Sequence, residues 1–154
     1  MLIQYNKATS GITKPGNAFA PRKKSLITNG DFNKGIGGWT LLSGAMQAND
    51  GIMTVASTDV DGNIAQHLTN KLQPGWNYEI TVDQIGGNGN GQWYLESETG
   101  LGDLYSSTET NVTESTIFAF QPGDSIWIRL KSIFVTGTEY CDFSYVRIKQ
   151  IDPI

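Results

Sequence analysis

A chain of 154 residues with 18 glycines and a single cysteine is sized for one domain and excludes an internal disulfide framework. Its apolar residues come in runs too short for a bilayer-spanning helix, and its wealth of Gly, Ser, Thr and Asn suits short strands joined by tight turns. The net charge of −4 is uneven: residues 1–25 hold five bases and no acid, the rest six bases and all 15 acids, and an acidic body argues against nucleic acid as a partner.

The first 25 residues show neither helical nor strand periodicity and are punctuated by Ser-Gly, Pro-Gly and Ala-Pro. They nevertheless carry Leu2, Ile3, Tyr5, Ile12 and Phe19, followed by the basic cluster Arg22, Lys23 and Lys24. Spaced apolar residues in an extended segment suit docking on another chain, where backbone hydrogen bonds supply affinity and side chains fill pockets. Residues 1–25 are therefore expected to be an extended docking arm, and 26–154 a folded domain. No continuous apolar region resembles a signal peptide at the N-terminus.

From residue 26 strand patterns take over. "SLITNGDF" (25–32) reads as the first strand, and "WTLLSGAM" (39–46) follows a glycine-rich turn. "GIMTVAST" (51–58) comes after Asn49-Asp50-Gly51, a hairpin signal because these residues tolerate positive φ. "NIAQHLT" (63–69) follows Asp61-Gly62, and "LQPGW" (72–76) is a turn. "NYEITVDQI" (77–85) alternates Tyr78, Ile80 and Val82 against Glu79, Thr81 and Asp83. After the loop "GGNGNG", "QWYLES" (92–97) sets Trp93 and Leu95 against Gln92, Tyr94 and Glu96. "STIFAF" (115–120) precedes the turn "QPGD", and "SIWIRLKSIF" (125–134) sets Ile126, Ile128 and Leu130 against Trp127, Arg129 and Lys131. "CDFSYVRIKQI" (141–151) is the last strand. The expected fold is all-β: an antiparallel sandwich of about nine strands, with no convincing helix.

"LITNGDFNKGIGGWT", "LQPGWNYEITVDQ" and the late "FSYVRI" occur in order over residues 26–151. Together they resemble the galactose-binding-like jelly roll of carbohydrate-binding modules. The resemblance implies a jelly-roll topology. It also implies an acid after Phe32 and another near the chain end, where relatives hold a structural calcium. This chain has Asn33 and Ser144 at those places, which leaves Asp31 and Asp142 as the calcium candidates and makes a chain without cofactors the expectation. In the residues themselves, Gly30 supplies either a positive φ or a close backbone approach, and Phe32 and Trp39 are apolar anchors capping one end of the core.

No nucleophile elbow, phosphate loop or metal cluster is present, so the chain reads as non-enzymatic. His67 and the acids Glu96 and Glu98 read as strand-face residues, and Cys141 as a half-buried strand cysteine. Sugar binding needs aromatic planes beside amides and charges. Gln92, Tyr94 and Glu96 share one strand face, Trp127 and Arg129 share another, and Trp76 borders a turn. With a docking arm, no secretion signal and a module-like jelly roll, the expectation is a bacteriophage virion protein made in the host cytoplasm. It would be a capsid decoration or cement protein on the capsid surface, bound to the major capsid protein or other virion subunits, and a homo-oligomer such as a trimer. The alternatives are a carbohydrate-binding module or adhesin that recognises host-surface glycans, and a tail or baseplate subunit. No membrane partner is expected.

Overall fold

The structure, a computed structural model, describes residues 25–98, 102–108 and 111–154. The docking residues Leu2, Ile3, Tyr5, Ile12, Phe19, Arg22, Lys23 and Lys24 lie outside them.

Ten strands are described, built into two five-stranded antiparallel sheets. They are β1 (Thr40–Ser43), β2 (Ala45–Asn49), β3 (Ile52–Ala56), β4 (Gly62–His67), β5 (Trp76–Gly87), β6 (Gly91–Ser97), β7 (Gly102–Ser107), β8 (Thr113–Phe120), β9 (Ile126–Ser132) and β10 (Tyr140–Pro153). The first sheet has the order β1-β4-β9-β6-β7 and the second β2-β3-β10-β5-β8. Apart from the β2–β3 and β6–β7 hairpins, neighbours in each sheet come from distant parts of the chain, as a jelly roll requires. Among the described residues the single helical element is a 3-10 turn at Thr69–Lys71.

Alternation decides what faces inward. Ile64, Trp93, Leu95, Ile126, Ile128 and Leu130 of the first sheet meet Met53, Val55, Tyr78, Ile80, Val82, Phe143, Val146 and Ile148 of the second in one continuous core. Each such fully buried large side chain contributes about 1.5–3 kcal/mol through its removal from water. Tyr78 keeps its hydroxyl satisfied inside the core by accepting from the Gln73 N–H at 2.6 Å. At β2–β3 the expected hairpin forms, with Asp50 at φ 51° and Gly51 at φ 77°, the two positive values that a tight two-residue turn demands.

Residues 25–32 differ from expectation. They run as turns, not as a strand, because Asn29 and Phe32 adopt φ values of 52° and 57° that no strand accommodates. The segment still joins the second sheet locally: the Leu26 N–H donates to the Ile148 carbonyl and the Val146 N–H to the Gly30 carbonyl. Gly30 is there for close approach, since a Cβ would lie 2.2 Å from the Val146 carbonyl oxygen. Phe32 and Trp39 are both buried in the core, with ring centroids 5.7 Å apart. β7 has no counterpart among the expected strands, and Cys141 is fully buried, not half-buried.

Candidate functional site: the outer face of the first sheet

β9 lies between β4 and β6, and its register decides which side chains meet. Trp127 stands between His67 on β4 and Glu96 on β6; Arg129 stands between Ala65 and Tyr94; Lys131 stands between Asn63 and Gln92. The inward residues of β9 are Ile126, Ile128, Leu130 and Ser132, so Trp127, Arg129 and Lys131 point outward. The two glycan-binding groups read separately from sequence, Gln92-Tyr94-Glu96 and Trp127-Arg129, thus form a single surface. Trp76 does not join it: it lies on β5 in the second sheet, half-buried against the core.

The surface is fixed by its own contacts. Trp127 packs on the His67 ring with centroids 4.6 Å apart and planes tilted by 36°. The Arg129 guanidinium meets the Glu96 carboxylate at 2.5 Å, and both side chains are partly shielded from solvent. Arg129 and Lys131 also sit over the Tyr94 ring, at 6.0 and 5.9 Å from its centroid, near the outer limit for cation–π attraction. Lys131 is paired with Asp61 at 3.1 Å. Asp61 is held below the usual carboxylate range, first because the Phe134 backbone N–H donates to it at 2.7 Å and further through Lys131.

At the other end of the face, the Ser125 hydroxyl donates to Glu98 at 2.5 Å and lies 3.1 Å from the His67 Nε2. Thr69 Oγ1 is 3.0 Å from the same nitrogen, and Glu98 is 3.9 Å from it. Glu98 is shifted below its ordinary value, first by the Ser125 hydroxyl and then by the Trp127 indole N–H. Lys131 belongs to this surface by the alternation already legible in β9. His67, Asn63 and Asp61 join it through strand pairing, which no local pattern announces.

An indole plane flanked by immobilised donors and acceptors can pack on the C–H face of a sugar ring while its hydroxyls find hydrogen-bond partners. The calcium candidates lie elsewhere. Asp31 accepts from the backbone and side-chain amides of Asn33 at 3.2 and 2.9 Å, and Asp142 accepts from Thr54 at 2.5 Å. Among the described residues no group of three or more His, Cys, Asp or Glu side chains is placed to hold a metal ion.

No family profile and no curated protein matches the chain. Solved structures do. A family 4 carbohydrate-binding module is 14% identical over 81% of this chain and 99% of its own, with a TM-score of 0.57. The CBM22-1 xylan-binding domain of Paenibacillus barcinonensis Xyn10C is 17% identical over 85% and 94%, with a TM-score of 0.55. The enzymatically active domain of bacteriophage CBA120 tailspike protein 4 is 14% identical over 82% of this chain and 21% of its own, with a TM-score of 0.56. The fold is the jelly-roll β-sandwich of carbohydrate-binding modules.

Proposed function

We propose that this chain is a carbohydrate-binding module whose glycan site is the outer face of β4, β9 and β6. The observation that carries the reading is the outward placement of Trp127 on that face, packed on His67 and bordered by the Arg129–Glu96 ion pair. A half-buried indole held between fixed polar groups is well suited to accept the apolar face of a ligand. The fold shared with carbohydrate-binding modules supports the same assignment. On this reading the chain binds and does not catalyse, since Glu96 is engaged by Arg129 and Glu98 by Ser125.

Affinity electrophoresis through gels containing xylan, β-glucan or galactan, together with a glycan array, tests it. Retarded migration in at least one gel, abolished by Trp127→Ala with the fold intact by circular dichroism, is the expected result. A blank array and unretarded migration in every gel would overturn the assignment.

A second reading places the same sandwich in a phage particle, and the likeness to a tailspike domain favours it. In that setting the basic leader would dock on a major capsid protein or another virion subunit as a decoration or cement protein. Deletion of residues 1–24 should then abolish co-sedimentation with particles while leaving the sandwich folded. Unchanged co-sedimentation would remove this reading.

A further inference from the structure

A concavity opens where residues 25–31 run beside β10, the strand of the second sheet that bears Tyr145 and Arg147. It encloses about 620 Å³ and is lined by Ser25, Thr28, Asp31, Lys34, Tyr145 and Arg147 among others. That volume lies within the range of small-ligand clefts, roughly 300–1,000 Å³. We infer that this cleft is a binding site for an oxyanion carried on a sugar ring, the carboxylate of a uronic acid or the phosphate of a sugar phosphate.

The charge arrangement carries the inference. The described residues include six Lys and Arg side chains. Arg129, Lys131 and Lys149 are each ion-paired, with Glu96, Asp61 and Glu79. Lys71 is hydrogen-bonded to Gln66 at 2.8 Å and to the Thr28 hydroxyl. The two that remain, Lys34 and Arg147, have no ion-pair or hydrogen-bond partner among the described residues, and both line this cleft. Lys34 and Arg147 outnumber the single acid Asp31 in the lining, so the cleft keeps an excess of positive charge in a chain with net charge −4.

The donors are also preorganised. The Arg147 guanidinium lies 4.5 Å over the Tyr145 ring, which fixes its plane and leaves its N–H edge for a bidentate oxyanion. The Ser25 oxygen accepts from the Ile27 and Ile148 N–H groups, both at 3.2 Å, so its own proton remains to be donated. The loop bearing Lys34 is pinned by Asn29, which donates to the Gly35 and Gly37 carbonyls at 2.8 and 2.9 Å and accepts from the Lys34 N–H at 2.9 Å. Asp31, the one acid in the lining, accepts from the backbone and side-chain amides of Asn33. A cleft rich in free donors asks for an acceptor, and one much larger than an ion asks for a ring to carry it.

Isothermal titration of the full-length Trp127→Ala chain, which lacks the outer-face indole, with trigalacturonate, glucose 6-phosphate and neutral galactotriose tests the site. Heat is expected with one or both anionic probes, weakening as salt is raised. In that background Arg147→Ala and Lys34→Ala should each raise Kd about tenfold, the loss of one charge-assisted contact. Arg147→Lys should recover only part of the loss, because the fork is gone. A response to trigalacturonate alone assigns the carboxylate, and one to glucose 6-phosphate alone assigns the phosphate. Absence of heat with both anionic probes, equal binding of galactotriose, or binding indifferent to Arg147→Ala and Lys34→Ala would overturn the inference. Trp127 does not line the cleft, so failure here leaves the outer-face reading standing, and the reverse also holds.

Discussion

Arg129 and Glu96 form a diagonal pair across β9 and β6: the register partner of Arg129 is Tyr94 and that of Glu96 is Trp127, yet the guanidinium reaches the carboxylate at 2.5 Å. The pair locks both side chains beside the indole, with 20% and 32% of them exposed. This is between the fully wet ion pair, which contributes little, and the buried one, which is costly to break. Replacing either partner strands a half-shielded charge. Arg129→Gln and Glu96→Gln should each lower stability by about 1–2 kcal/mol, and the double variant should lose less than the sum. Urea denaturation of the four proteins measures the coupling. Strict additivity would show the pair to be energetically inert.

The loop between β9 and β10 is tied to one carboxylate. Glu139 accepts from the Thr136 hydroxyl at 2.5 Å and from the backbone N–H groups of Val135, Thr136 and Gly137 at 3.0, 2.7 and 3.0 Å. The Thr136 hydroxyl foremost, with those amides, holds its pKa down to about 2 against an ordinary 4.5, despite an opposing desolvation. A folded-state pKa below the unfolded one means that the stabilisation is present above about 4.5 and disappears as pH falls towards 2. The melting temperature should therefore drop through that interval, and Glu139→Gln should flatten the drop while lowering the plateau at neutral pH. A thermal-melt series over pH 2 to 7 decides it, and parallel curves for the two proteins would exclude Glu139 as the source.

Gly30 is sterically fixed, and the prediction follows from one distance. A Cβ would stand 2.2 Å from the Val146 carbonyl oxygen, and the neighbouring strand cannot retreat because the Val146 N–H is bonded to the Gly30 carbonyl at 2.8 Å. Gly30→Ala should cost about 1–3 kcal/mol, the range for overpacking a close-packed contact. Denaturant unfolding of Gly30→Ala gives the value. Wild-type stability in that variant would mean that the 25–31 segment is not welded to β10.

Much of the sandwich was readable from alternation alone. Tyr78-Ile80-Val82, Trp93-Leu95 and Ile126-Ile128-Leu130 all face the core, because a period of two leaves a strand only one apolar side to bury. The Asn49-Asp50-Gly51 hairpin was equally legible, since its chemistry is local. Two features were not. Phe32 adopts a positive φ without being Gly, Asn or Asp, so "LITNGDF" imitates a strand while its backbone turns. The gathering of Gln92, Tyr94 and Glu96 with Trp127 and Arg129 depends on β9 lying beside β6, and no residue near either strand encodes that neighbour. β7 escaped because its six residues, "GDLYSS", begin with glycine and aspartate and offer no clean apolar alternation.

Gln84 presents an opposite case, a polar side chain turned inward on β5. It is 2% exposed, both of its amide atoms lack a hydrogen-bond partner, and the amide presses on Gly91, where a Cβ would stand 2.0 Å from its Nε2. An amide desolvated without compensation opposes folding, whereas an apolar side chain of similar length would not. Gln84→Met should raise stability by about 1 kcal/mol, the flexible thioether adapting to the space beside Gly91. The check is a higher urea midpoint at unchanged m-value, which separates a gain in the native state from a change in the unfolded chain. A marked loss instead would show that the amide is satisfied by buried water, and that the glutamine is held there to bind it.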